Sequence, residues 1–360
     1  MPMFKLTHFL WFFIPLYGVS QSPQTPFAPR HYVCYRTSTM LTMDGHLNET
    51  AWQHAEWTDT FVDIEGDIKP LPRHNTRVKM LWNDEYLYFG AVLEEPHVWA
   101  TLTEDESVIF HDNDFEIFID PDGDTHLYYE FEINAFATTW DLLLVKPYRD
   151  GGPVVTGWDM DALKAAVSVQ GTINDPLQAD TSWTVEVALP LRALAECAVP
   201  RRSPQPGEQW RINFSRVQWQ TEVVNGKYQK IVNPATGKPY PENNWVWSPQ
   251  GVINMHYPEM WGFVQFSEND VQQAGDQFAF QQEEYTKWVL RQIYYKQRAY
   301  KQQHGIFADN LATLKADTIE YNEQAYFPYL EVTASMFEAY CTNPTTDVVW
   351  HINQEGKVWK

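Results

Sequence analysis

The stretch DNDFEIFIDPDGDTHLYYEFEINAFATTW, residues 112–140, decides the fold. Phe115, Ile117 and Ile119 alternate with Asp114, Glu116 and Phe118, the period of two of a strand with one buried face. Pro121-Asp122-Gly123-Asp124 supplies a turn, because Pro presets φ at an early turn position and Gly takes the positive φ that closes it. The alternation then resumes, with Leu127, Tyr129, Phe131 and Ile133 on one face and Tyr128, Glu130, Glu132 and Asn134 on the other. The stretch reads as a hairpin with an acidic outer face. Pairing inward residues with inward ones puts Glu116 opposite Tyr128 or Glu130, and Asp114 opposite Glu130 or Glu132. Either register sets carboxylates close together across the ladder, which is destabilising. An arginine, a calcium ion, a shared proton or a hydroxyl-rich ligand would offset the repulsion; a solvated face screened by salt is the plain alternative.

Strand patterns of the same kind flank the hairpin. Before it come YVCYRT from Tyr32 and the pair Arg77–Trp82 and Tyr86–Leu93 around Asn83-Asp84-Glu85. After it come Thr139–Val145, Ala165–Val169, Ser182–Leu189 with Trp183, Val185 and Val187 inward, Trp210–Trp219, Trp245–Trp247 and Trp261–Phe266. Asn48-Glu49-Thr50 opens a helical turn that buries Trp52 and Trp57. Many short strands with polar connections argue for a mainly β chain, an antiparallel, jelly-roll-like β-sandwich. The periodicity changes near Glu268. Residues 279–303 lack Gly and Pro and read as a long helix, with Tyr285, Trp288, Val289, Gln292, Tyr295 and Ala299 on one stripe and Gly305 as its cap. Strands at 327–340 and 347–359 complete a smaller C-terminal α+β extension. The expected organisation is a signal peptide at 1–20, a Pro-rich leader at 21–31, the sandwich at 32–267 and the extension at 268–360.

Composition narrows the partners. The net charge of −21 opposes nucleic acid and anionic membrane surfaces. The 16 Trp, 19 Tyr and 20 Phe suit a β core or a surface that stacks on sugars. The 3 cysteines, Cys34, Cys197 and Cys341, have no metal-like spacing and allow at most one disulfide. A short basic start, the apolar run Leu6–Val19 and Gly18-Val19-Ser20 before Gln21 read as a secretory signal, implying a periplasmic or extracellular protein with no membrane partner after cleavage.

The ordered set DGHLNETAW, VKMLWNDEYLYF, DNDFEIFID and WSPQGVINMHYPEMWGFVQF resembles carbohydrate-binding module family 9 over residues 32–267. The resemblance implies a β-sandwich that binds sugar chains at their ends, in proteins that serve polysaccharide breakdown, with a structural calcium ion and no organic cofactor. The family's sugar-contacting Glu falls on Glu116. Its Arg-x-Asn falls on Glu132-Ile133-Asn134, so the asparagine matches and the arginine does not. Its two clamping tryptophans fall near Phe110 and Met255, and neither is Trp here. Trp219, Trp245, Trp247, His256 and Tyr257 offer replacement surfaces, while Trp261 beside Gly262 is read as packing. The family-like calcium site falls near Glu95 and Asp112. Asp120, Asp122 and Asp124 offer alternate oxygens as well but are explained as a turn.

These residues point to a non-catalytic binder of neutral glycans, with Phe110, Glu116, Glu132, Asn134, Trp219, Trp245, Met255 and His256 as its site. A glycoside hydrolase is the alternative, since two carboxylates on neighbouring strands can act as acid and nucleophile. A haem-binding redox domain on Met255 and His256 is less favoured, because adjacent strand residues point to opposite faces.

Overall fold

Apolar alternation becomes strand along most of residues 31–270. The computed structural model describes residues 22–360; the stretch read as a signal peptide lies outside the described residues. The strands are β1 (His31–Arg36), β2 (Val62–Asp63), β3 (Thr76–Trp82), β4 (Tyr86–Glu94), β5 (Asp114–Asp120), β6 (Tyr128–Asn134), β7 (Thr139–Leu144) and β8 (Val154–Val155). They continue with β9 (Lys164–Gln170), β10 (Ser182–Pro190), β11 (Gln209–Gln218), β12 (Thr221–Val224), β13 (Lys227–Lys230), β14 (Asn243–Val246) and β15 (Gly262–Asp270).

One hydrogen-bonded path runs β8-β7-β6-β5-β11-β15-β1-β3-β4-β10-β9, with β14 and β2 attached beside β11. Its two halves face each other. Phe115, Ile117, Phe131 and Phe214 from one half share a core with Val78, Met80, Phe89 and Val185 from the other. The Phe89 and Phe214 rings meet at 5.6 Å between the layers. This is the expected β-sandwich, antiparallel except at β1, which runs parallel to both β15 and β3. No hairpin fixes the direction of β1, because both of its neighbours lie far along the chain.

The hairpin at the centre of the sequence forms in a different register from the one expected. Glu116 stands opposite Glu132, and Asp114 opposite Asn134. The reason lies in the connection, which takes up all of residues 121–127 rather than a tight turn. Gly123, Thr125 and Leu127 adopt positive φ there. Leu127 is consequently 38% exposed instead of facing the core.

Beyond the sandwich, the long helix Glu283–His304 ends at Gly305 with φ +78°. It lies on a sheet of Tyr329–Val332, Phe337–Thr342, Val349–Asn353 and Val358–Trp359. Burial spreads over more of the helix than one stripe and takes in Glu284, Arg291, Tyr294 and Gln297. The helix has two buried sides, because the sandwich covers the second. Arg211 pairs with Glu284 at 2.8 Å, and Arg291 donates to Thr125 Oγ1 at 3.1 Å. The Pro-rich leader packs too: Phe27 stacks on Trp288 at 4.7 Å, and the Gln24 N–H donates to the Gly251 carbonyl. Trp52 is fully buried as expected, whereas Trp57 is half-buried under Arg77 and Lys79.

Phe214 touches Phe61, Phe89, Phe115 and Trp247 between the layers. Phe214→Ala is expected to cost about 3–5 kcal/mol in urea unfolding. A loss under about 1 kcal/mol would mean that the two layers do not share this core.

Candidate functional site

The outer face of the β5–β6 hairpin was expected to be acidic. Part of it is apolar: Phe118, Tyr128, Leu142 and Leu144 pack there with Val246, Met255 and Trp261. The irregular segment before β15 lies over this face as a roof. Trp261 anchors the roof, its ring 5.5 Å from Phe118 and 5.2 Å from Tyr128, while its Nε1 donates to the Met255 carbonyl at 2.9 Å. Between roof and sheet lies a cavity of about 450 Å³.

One wall of the cavity carries Glu116, Glu130 and Glu132. All three are at most 5% exposed, and Asp114 behind them is fully buried. Oxygens of Asp114, Glu116 and Glu132 lie within 4.8 Å of one another. Glu132 accepts from the Phe110 N–H at 3.0 Å and Asp114 from the Val217 N–H at 3.3 Å. The second Asp114 oxygen and Glu130 Oε2 accept no hydrogen bond among the described residues.

Burial pushes the Glu116 carboxyl up to about 7; the Ser215 hydroxyl opposes the shift and the Glu242 charge adds to it. Burial also raises Asp114, Glu130 and Glu132 well above the usual carboxylate range, reinforced in each by the negative charge of Glu116. With its carboxyl near 7, Glu116 is part-protonated at neutral pH and can donate as well as accept hydrogen bonds.

The other surfaces are aromatic and apolar. Phe110, Trp140, Leu142, Tyr148, Ile253, Met255 and His256 line them. Burial, with Arg149 adding, lowers His256 to about 3, so its ring is neutral. His256 Nδ1 lies 3.0 Å from the Tyr128 hydroxyl, and its ring meets Tyr148 edge-on at 4.5 Å.

The loop that carries Tyr148 is held from behind. Arg149 forks onto both Glu259 oxygens at 2.9 Å and donates to the His256 carbonyl at 2.9 Å. Asp150 accepts from the Tyr294 hydroxyl and from Arg298, each at 2.6 Å. Tyr295 donates to Glu259. Burial alone would raise Glu259, but Arg149, with Arg291 and Tyr295, outweighs it and holds Glu259 below its ordinary value. Three residues of the long helix thus fix the loop and, through Glu259 and Arg149, the roof.

Of the site residues read from the sequence, Phe110, Glu116, Glu132, Met255 and His256 come together in this cavity. Met255 and His256 both line it because residues 250–257 are not a strand, so the argument that neighbours must point apart does not apply. Trp219 lies outside the lining and props it, its Nε1 donating to the Phe110 carbonyl at 2.9 Å. Trp245 is buried in the sandwich core and Asn134 donates to Leu102 and Asp112, so neither reaches the cavity lining. Glu95 is held by Arg216 and the His97 N–H, while Asp112 accepts from Thr101, Leu102 and Asn134. Every oxygen of that expected calcium pair is engaged by donors of the chain. The sequence reading left out Glu130, Trp140, Tyr148, Glu242 and Asn244. Glu130 was legible as an outward neighbour of Glu132, and Trp140 stands directly opposite Glu132 on β7.

The raised carboxyls make stability depend on pH. A carboxyl that keeps its proton in the folded chain and loses it in the unfolded one stabilises fully below the unfolded pKa, near 4.5, and progressively less as pH rises through the folded value, about 7 for Glu116. Thermal unfolding in chelator is expected to show a falling melting temperature between pH 5 and pH 8. Glu116→Gln should flatten that slope and gain about 1–3 kcal/mol at pH 8. A steeper slope in the variant would contradict the assignment.

Residues 43–216 match the family described as carbohydrate family 9 binding domain-like. Among solved structures, a candidate carbohydrate-binding protein from Bacteroides uniformis is similar at 16% identity and a TM-score of 0.49, covering 67% of this chain and 100% of that one. A family 9 carbohydrate-binding module from Caldicellulosiruptor kristjanssonii in complex with cellotriose is similar at 13% identity and a TM-score of 0.41, covering 68% of this chain and 99% of that one. Its complex with glucose gives 14% identity, a TM-score of 0.41, and coverage of 66% and 97%. No curated protein matches the chain. The residues matched by that family description include the acidic wall of the cavity.

Proposed function

We propose that the chain is an exported, non-catalytic carbohydrate-binding protein that takes a neutral oligo- or polysaccharide into the cavity beneath the roof, in support of polysaccharide breakdown. The observation that carries the reading is the pairing of a carboxyl wall with aromatic surfaces in one cavity. A sugar ring has the same two-sided chemistry. Its hydroxyls need partners that donate and accept, which half-protonated carboxyls supply. Its axial C–H groups pack on aromatic faces, and Tyr148 and Phe110, 49% and 37% exposed, are placed at the mouth to offer them. Export rests on the pattern of residues 1–20. The net charge of −21 favours an uncharged ligand over an anionic one.

A glycoside hydrolase is the second reading, favoured by one observation: Glu116, raised to about 7, stands opposite another carboxyl, Glu132. That is the environment of a general acid. Release of chromophore from aryl glycosides, abolished in Glu116→Gln, would establish it in place of the binding role.

Calorimetric titration with plant and algal oligosaccharides, each also borohydride-reduced, tests the main reading. Tyr148→Ala and Trp140→Ala are each expected to weaken binding by about 1–2 kcal/mol, roughly 5- to 30-fold. Loss of binding on reduction identifies recognition of a chain end. Failure to bind any member of the panel would remove the proposal.

A further inference from the structure

We propose that the floor of the cavity is a site for a hard divalent cation of the calcium class, ligated by Asp114, Glu116 and Glu132. The distances suit an ion. Each residue offers an oxygen, and these oxygens all lie within 4.8 Å of one another. An ion that holds oxygens at roughly 2.4 Å sets no two of them more than about 4.8 Å apart. The strand register enforces the arrangement: Glu116 and Glu132 are directly opposed across β5 and β6, and Asp114 lies two residues before Glu116 on the same face.

A second observation points to a ligand. Glu130, outside the triad, lies on the same face of β6, lines the same cavity and is 5% exposed, yet its Oε2 has no hydrogen-bond partner among the described residues. The second Asp114 oxygen has none either. A buried carboxylate oxygen without a donor is costly, and an ion held by the triad would satisfy the Asp114 oxygen directly. The acidic turn at Asp120, Asp122 and Asp124 differs in this respect. Asp120 accepts from the Gly123 and Thr125 amides, and Asp124 pairs with Lys357 at 3.0 Å, so that turn explains its own carboxylates.

The donor set defines the class of ion. All three ligands are carboxylate oxygens, with no thiol or imidazole among them, which suits calcium or its hard analogues rather than zinc or copper. Calcium takes about 6–8 oxygens, more than three carboxylates supply. The remaining positions open towards the cavity, where water or a pair of vicinal hydroxyls can complete the shell. That last step, a cation bridging to a glycan, rests on the function proposed above; the cation site itself does not.

Calorimetric titration of chelator-stripped protein with Ca²⁺ tests the site, with Tb³⁺ emission sensitised by Trp140 as an independent readout. One saturable site is expected. It should weaken by a factor of roughly 10–100 or more in Glu132→Gln and in Asp114→Asn, and stay unchanged in Asp122→Asn. Near-ultraviolet circular dichroism confirms that the amide variants fold. Absence of Ca²⁺ binding by the folded wild type, or binding lost in Asp122→Asn but kept in Glu132→Gln, overturns the proposal. The glycan panel is then titrated with and without Ca²⁺. Ca²⁺ binding with no glycan binding sinks the functional reading and leaves the cation site standing. Glycan binding without any Ca²⁺ binding does the reverse.

Discussion

Glu116 and Glu132 face each other across two central strands, with Glu130 and Asp114 beside them and the roof above. Four carboxyls cannot all be ionised in so small and dry a space, so protons, a cation or a hydrogen-bonding ligand must enter before the sheet can close. The roof makes this constraint unavoidable. Without it, water and salt would screen the face and the acids would behave as ordinary surface groups. With Trp261 seated against Phe118 and Tyr128, the same residues become a buried polar wall whose charge state depends on what occupies the cavity.

The C-terminal unit acquires a structural role from the same arrangement. Tyr294, Tyr295 and Arg298 of the long helix reach Asp150 and Glu259, and Arg149 joins those acids to the His256 carbonyl. A buried ion pair of this kind contributes little net stability compared with an apolar replacement, but removing one member leaves a charge stranded. Its consequence here is geometric. The loop bearing Tyr148 and the roof bearing His256 are fixed to one helix, so the cavity mouth has a defined width. The helix stripe read from the sequence missed this side because the buried residues facing the sandwich are polar and charged, and hydrophobic periodicity does not register them.

The longer strands of the sandwich were legible, because period-two alternation survives wherever one face meets a core, whereas the short β2, β8, β12 and β13 were not read. What eluded the sequence was set by longer-range geometry. The register of β5 and β6 depended on how many residues the connection absorbs, and Pro-Asp-Gly-Asp suggested a shorter one than the 121–127 loop that forms. The parallel placement of β1 follows from insertion between distant strands, which no local pattern encodes. At the site, Glu116, Glu132, Phe110, Met255 and His256 were read together, while Trp245 was read as a surface and is core. Phe118, Tyr128, Leu142 and Leu144 held the missing clue: apolar residues on an outer face imply that something covers it.

The division of the cavity between parts of the chain bears on specificity. The acidic wall lies within the family-matched residues 43–216, whereas Glu242, Asn244, Ile253, Met255 and His256, which line the cavity with it, lie beyond them. The positions of the wall residues are set by strand register. The roof is irregular backbone held by one tryptophan and one arginine network, so its side chains are free to vary. On the function proposed above, recognition of a ligand's polar edge belongs to the geometry of the sheet, and discrimination between ligands of different shape belongs to the roof. The two positions at which the family resemblance expects clamping tryptophans fit this division. One of them, Met255, sits on the roof, and the other, Phe110, is held at the mouth by a backbone bond to Glu132 and by Trp219. On the function proposed above, stacking at the mouth falls to Tyr148, on a loop that the C-terminal helix fixes in place.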